Sequence, residues 1–210
     1  MKEINIETWN RRDVYKNFAD FTDPFYAITV PVDVTPVKEY SKRNQISFYH
    51  TMIWAVTKAV NQVPQFNIRI RDGRLYQLDH VDPNFTILKS GAEVFQYMFL
   101  PWKENPVEFS SEVFKEMDRQ GDRTFGDFED TDETVYLTCT PWFDFTALTN
   151  PHSSNTDDTI PRIGWGRYYK EGDRLMLHMS IEANHKTIDG YHIGLLKAAI
   201  DRVIASMEEM

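Results

Sequence analysis

Apolar and polar positions alternate from Phe25 to Thr35 (FYAITVPVDVT), a period-two pattern that predicts a strand. Pro31 has no N–H to give to a ladder, so this strand is expected at an edge or a bulge. From Ser47 to Val63 the period lengthens. Phe48, Met52, Ala55, Val56, Ala59 and Val63 recur at helical spacing, and Pro64 stops the run. Ile68 and Ile70, the Asp72-Gly73 turn, and Leu75 and Leu78 predict a hairpin. Phe85 to Leu88 reads as a short strand, Ser111 to Gln120 as a short helix, and Val135 to Thr140 and Arg162 to Tyr169 as strands, the last closed by a turn at Glu171-Gly172. Arg174 to Asn184 places Leu175, Leu177, Met179, Ile181 and Ala183 on one face of a long strand. After Gly190, residues Ile193, Leu196, Ala199, Ile200, Val203 and Met207 mark a last helix.

Helices interspersed with hairpin-linked strands predict an α/β chain, an α+β two-layer sandwich with a mixed sheet and helices packed mainly on one face. Two polar stretches read as solvated loops: Asp127 to Glu133, with five carboxylates in seven residues, and Asn150 to Thr159. Neither reads as a joint between domains, so residues 1–210 are expected to form a single domain.

Composition narrows the function classes. With 210 residues, 41% hydrophobic and 14% aromatic, the chain can bury a core, which excludes global disorder. A formal charge of −9 repels phosphate backbones and argues against nucleic acid or an anionic membrane as the main partner. No stretch approaches the roughly 20 apolar residues of a membrane span. The N-terminus has no apolar run behind its charges, so a secretory signal is not expected. The one cysteine, Cys139, excludes an intramolecular disulfide framework and fits a reducing, cytoplasmic setting; with no His or Lys beside it, it reads as an inert buried thiol.

Of six histidines, one has unusual neighbours. His185-Lys-Thr-Ile-Asp189-Gly190 puts an imidazole at the end of the long strand, with a carboxylate four residues on. Strand ends expose catalytic groups, and a neutral imidazole is a general base near pH 7. On spacing alone, a histidine in a hydrogen-bonded turn is the simpler reading, because HxxxDG fixes only three residues. A metal site from His185, Asp189 and His192 has no known ligand spacing, and none is expected.

The wider pattern resembles the chloramphenicol acetyltransferase family. His185-xxx-Asp189-Gly190 is similar to its active-site segment, and Trp9-Asn-Arg11-Arg12 to its N-terminal tryptophan and paired arginines. Ala59-Val60-Asn61-Gln62, Val81-Asp82-Pro83-Asn84-Phe85-Thr86, Pro141-Trp142-Phe143-x-Phe145 and Tyr168-x-x-Glu171-Gly172-Asp173-Arg174 follow in family order. The resemblance implies a homotrimer with active sites at subunit interfaces. In it, His185 removes the proton from an acceptor hydroxyl, which attacks the thioester of acetyl-CoA directly. Asp189 is then structural and Arg11 its partner. Arg167 and Tyr168 match a basic-aromatic pair near the CoA end, and Phe18, Thr22, Pro24 and Phe145 fall in the acceptor wall.

Two departures from the family bear on catalysis, beside the milder ones of Asn184 where the family doubles the histidine and of Thr22 and Pro24 in the acceptor wall. Where drug-acetylating members have a serine that stabilises the oxyanion, this chain has Ala147; where they have a threonine that holds a water, it has Gly164. Thr146 adjoins Ala147, but strand neighbours point to opposite faces, so it is a poor substitute. Acyl transfer is therefore better supported than chloramphenicol as substrate. Two other readings stay open: a catalytically weak or silent CoA- and drug-binding homologue, and a dihydrolipoyl-type acyltransferase core, which shares HxxxDG but usually carries lipoyl and linker regions ahead of it.

Overall fold

The computed structural model describes residues 1–126 and 131–210. Its first half runs β1 (Lys2–Ile4), α1 (Arg12–Ala19), β2 (Phe25–Asp33), α2 (Thr35–Asn44), α3 (Phe48–Asn61), β3 (Ile68–Arg71), β4 (Arg74–Gln77), β5 (Asp82–Ile87) and β6 (Gln96–Phe99). The second runs α4 (Pro106–Gln120), β7 (Thr134–Thr140), β8 (Arg162–Gly166), β9 (Tyr169–Glu171), β10 (Arg174–Asn184) and α5 (Gly190–Ser206).

The main sheet has the order β2-β10-β8-β7-β5-β6, with β9 also on β10. β5, β7 and β8 run parallel to one another, and the remaining pairs are antiparallel. The α+β architecture and the mixed sheet are as the periodicity predicts. β2 is an edge strand, so Pro31 costs no ladder bond toward an outer neighbour. On one face Leu177, Met179, Ile181 and Ala183 of β10 are buried against a core that includes Met52 and Val56 of α3 and Leu196, Ala199 and Ile200 of α5.

The other face of β10 carries His178, Ser180, Glu182 and Asn184, and residues 141–159 lie along it. Asp144 meets His178 at 3.0 Å, the Ser180 hydroxyl donates to the Leu148 carbonyl at 2.7 Å, and Asn150 and His152 bond Glu182. Asn184 donates to the carbonyls of Thr156 and Asp158, each at 2.9 Å. The stretch expected as a solvated loop at 150–159 is therefore a polar cover over the sheet. Its side chains partner His178 and Glu182 and its backbone carbonyls partner Ser180 and Asn184, so four alternating polar positions are satisfied.

Two further expectations are corrected, and a third, the hairpin, is met in a sheet of its own. Residues 141–150 hold no strand, so Thr146 and Ala147 do not alternate between sheet faces; both are exposed on a loop. The strand expected over 162–169 is broken between β8 and β9; there the backbone of Phe143 and Asp144 lies against Gly166, where an added Cβ would stand 3.0 Å from the Phe143 carbonyl, and that carbonyl accepts from the Arg167 N–H at 2.9 Å. The hairpin β3-β4 belongs to a separate three-stranded sheet with β1, whose Ile68, Ile70 and Leu75 pack with Ile4, Ile6, Trp9 and Tyr15.

The acidic stretch is also more engaged than expected, although Asp127 to Asp130 lie outside the described residues. Asp132 pairs with Arg71, and its carbonyl accepts from the buried Arg69 guanidinium at 2.6 Å. Arg69 also donates to the carbonyls of Phe66, Ile68, Thr134 and Thr159, joining the small sheet to the large one.

Candidate active site

β10 ends at Asn184, and the turn that follows is built on that residue. The Asn184 carbonyl accepts from Thr187 and Ile188 N–H groups at 3.1 and 3.0 Å, and its side chain accepts from Lys186 N–H at 3.0 Å. His185 leaves the strand here. Its own N–H donates to the Pro24 carbonyl at 2.8 Å, which fixes it to the start of β2.

The imidazole is held between two rings. Phe18 of α1 stacks on it with centroids 4.1 Å apart and a 14° tilt, and Tyr26 of β2 meets it at 4.6 Å and 31°. Two such contacts require opposite faces, since one face has room for one ring. Nδ1 is buried and has no hydrogen-bond partner among the described residues. Tyr26 went unnoticed in the sequence; the register that sets it against Ala183 of β10 is the signal that places it beside the next residue but one.

Asp189 is the N-cap of α5 and pairs with Arg11, as the family pattern implied. Burial works to raise the Asp189 carboxyl, but the hydrogen bond and charge of Arg11, with His192, outweigh it and hold the group below the usual carboxylate range. His192 Nδ1 lies 2.8 Å from that carboxylate, and burial, ahead of the opposing pull of Asp189, keeps the ring below the ordinary histidine range. Burial and the Asp189 charge push the Tyr26 phenol up, so it stays a neutral hydroxyl. Arg11 and Asp189 thus form a partly buried ion pair that joins the N-terminal segment to the start of α5.

The predicted residues fall into two groups. His185, Asp189, Arg11, Phe18 and Pro24 come together at one end of the sheet. Phe145, Ala147, Gly164, Arg167 and Tyr168 lie elsewhere in the same chain. Gly164 pairs with Ser180, five residues back along β10 from His185, or roughly 16 Å at about 3.3 Å per residue. Met179 pairs with Trp165, so Gly166 is level with His178 and seven residues from His185, roughly 23 Å. Thr22 is exposed, and among the described residues its side chain makes no hydrogen bond.

Two clefts accompany the second group. At the C-terminal ends of β5, β7 and β8 a cleft of about 1130 Å³ is lined by Tyr49, His50, Cys139, Trp142, Arg167 and Tyr168 among others. Burial pushes the Cys139 thiol up to about 12, so it is no nucleophile near neutral pH. A second cleft of about 660 Å³ lies on the strands β5 to β8 and is lined by Phe95, Tyr97, Phe125, Tyr136, Asn150 and Arg162. Among the described residues no group of three His, Cys, Asp or Glu is arranged to hold a metal ion. No helix there is long and apolar enough to cross a membrane.

The profile of the chloramphenicol acetyltransferase family matches residues 1–201. This chain belongs to that family. It is by membership an acyltransferase. Chloramphenicol acetyltransferase 3 of Escherichia coli is 26% identical over 193 residues, 91% of each chain, and chloramphenicol acetyltransferase 2 of the same organism is 26% identical over 208 residues, 96% of this chain and 97% of the other. A solved chloramphenicol acetyltransferase superposes with a TM-score of 0.85 at 24% identity, covering 96% of this chain and 98% of that one. The cubic core of the pyruvate dehydrogenase multienzyme complex shares the fold, with a TM-score of 0.70 at 12% identity over 100% of this chain and 93% of that one.

Proposed function

We propose that this acyltransferase moves an acetyl group from acetyl-CoA to the hydroxyl of a small acceptor, in the cytoplasm, as a homotrimer with its sites between chains. The observation that carries this reading is the split site. Along β10, His185 lies roughly 16 Å from the level of Gly164 and roughly 23 Å from that of Gly166, beside Arg167, whereas Arg162 of the smaller cleft pairs with Glu182, roughly 10 Å from His185. Reacting atoms must meet within about 3.5 Å. Arg167 and Tyr168, assigned to the nucleotide end of an extended CoA, carry no such demand. Ala147 and Gly164, matched to the oxyanion serine and the water-holding threonine, must stand at the reacting centre, and they serve with His185 only if they come from a different copy.

In this reading Nε2 of His185 takes the proton of the acceptor hydroxyl while the oxygen attacks the thioester carbonyl. The tetrahedral intermediate collapses with cleavage of the C–S bond, and the imidazolium returns the proton to the departing thiolate. Atoms and charges balance without an acyl-enzyme. Arg167 and Tyr168 line the larger cleft, where an exposed guanidinium and a half-buried phenol suit the phosphates and adenine of CoA. The net acidic chain must supply such cations locally. The smaller, ring-lined cleft offers apolar space for the acceptor; Phe18 and Pro24, which flank the base, add acceptor wall from the other end of the site.

Ala147 offers no oxyanion donor, and loss of one such donor lowers a rate by about 10²–10³. Acetyl-CoA with chloramphenicol, other hydroxylated acceptors and dihydrolipoamide should give slow acetylation, read as acetylated product by mass spectrometry. His185→Ala should abolish it; equal rates in the variant would sink the assignment of the base. Ala147→Ser should raise the rate by about 10² if the rest of the site is assembled.

Ala147 and Gly164 also favour a second reading, a binding protein that keeps the clefts and has lost turnover. Calorimetric binding of CoA and chloramphenicol, with no acetylated product from any acceptor even in Ala147→Ser, is the result that selects it.

A further inference from the structure

Lysine is almost never fully buried unless it is paired. Lys186, the residue after His185, has a side chain only 3% exposed. Its Nζ donates to the Asp157 carboxylate at 2.8 Å and to the Thr156 hydroxyl at 3.2 Å. Asn184, the residue before His185, is buried too, and its amide donates to the Thr156 and Asp158 carbonyls at 2.9 Å. Both neighbours of His185 in the chain thus grip the same three residues, 156–158.

Those three residues end the cover that began at 141. The same cover carries Phe145 and Ala147 and is held to β10 by the Ser180 bond to Leu148. Beyond it, Asp158 binds the Arg162 guanidinium at 2.6 Å, and Arg162 lies over the ring of Tyr136 at 5.4 Å. Arg162 and Tyr136 both line the smaller cleft. An unbroken set of contacts therefore runs from the turn that bears His185 to the part of the chain that forms the other half of the site.

We infer that Lys186 is a positioning residue. With Asp157 and Asn184 it latches the cover to the turn of His185, so that the two half-sites of each chain keep a fixed spacing. In a ring of identical chains that spacing decides whether the base of one copy and the cleft of the next meet at reacting distance. The lysine touches no reacting atom. This role rests on the proposed acyl transfer, with His185 as base.

The test uses the full chain, with Lys186→Met, Asp157→Asn and, as a control, Lys197→Met, which breaks an exposed helical pair with Asp201. Lys186→Met fills the buried space without the charge, and the half-exposed Asp157 returns to water. The expected result is a fall in kcat of about tenfold or more with KM for acetyl-CoA within about twofold, since misplacement by an ångström at the reacting centre costs up to about 10². Asp157→Asn, which keeps an acceptor, should show a smaller fall in the same direction and serves if Lys186→Met does not fold. Two further measurements do not need turnover. Diethyl pyrocarbonate modification of His185, followed by mass spectrometry, should change several-fold in rate, and amide exchange over residues 150–160 should accelerate, with Lys197→Met unchanged in both. Unchanged modification and exchange in folded Lys186→Met and Asp157→Asn overturn the latch, whatever the turnover. A wild type without turnover, but with both measurements moved by the variants, removes the acyl-transfer reading and leaves the latch standing.

Discussion

His50 lies in the first turn of α3, buried, with Nδ1 3.0 Å from the Ser110 hydroxyl of α4 and its ring against Phe114. Burial lowers it to about 4, against 6.5 for the free side chain. The folded protein therefore leaves His50 neutral between those values, while the unfolded chain takes up a proton. Stability contributed by this group is complete above pH 6.5 and is lost as the pH falls toward 4, by about 3 kcal/mol over that interval. Urea unfolding between pH 7 and pH 4.5 should show this slope, and His50→Leu should flatten it. A slope that survives in the variant assigns the effect to other groups. The Asp189 pair behaves with the same direction at lower pH: its stability is present above the usual carboxylate range and lost below it.

Gly164 shows how one strand and the cover depend on each other. A Cβ built there would lie 2.4 Å from Leu148 Cδ2 and 3.1 Å from Thr138 Cγ2, so the leucine of the cover occupies the space that a side chain at 164 would need. Gly164→Thr should lower stability by about 1–3 kcal/mol through overpacking, and Leu148→Ala in the same chain should recover part of that loss. Chemical unfolding of the two single variants and the double variant measures the coupling; additive losses would place the clash elsewhere. At this scale the sequence was legible where periodicity was long. α3, β10 and α5 stand where their apolar spacing put them. α2 was missed because its buried Val37, Tyr40 and Ser41 are set among Lys and Arg, although Pro36 at its first turn is a helix-start signal. α1 was missed because none of its residues is buried, and β6 because four residues, Gln96 to Phe99, are too few to show a period. The cover at 141–159 could not be read from its polarity, since the same residues that suit water also suit the polar face of β10.

For the whole molecule, the motif residues His185, Asp189 and Arg11 were legible as a group because their chemistry is local to one turn and one N-terminal segment. The separation of His185 from Ala147, Gly164 and Arg167 was not, because it is set by strand register, which the motifs do not encode. The separation gives the assembly a direct test. His185→Ala and Arg167→Glu chains, each inactive, should regain activity when unfolded together and refolded as a mixture, because some sites then combine an intact base with an intact cleft. No recovery in mixtures shown to co-assemble would mean that each site uses one chain alone. Sedimentation of the wild type should give three copies.

Arg11 and Asp189 are separated by 178 positions in the chain. During synthesis the segment with Trp9 and Arg11 emerges before most of the chain and can pack on the small sheet, whose three strands all lie within residues 2–77. The guanidinium must then wait for nearly the whole remaining chain before its carboxylate arrives at the start of the last helix. Closure across so long a loop comes late, after local structure has formed. If His185 is the base as proposed, a nascent chain lacks an ordered catalytic turn, and with it activity, until α5 docks.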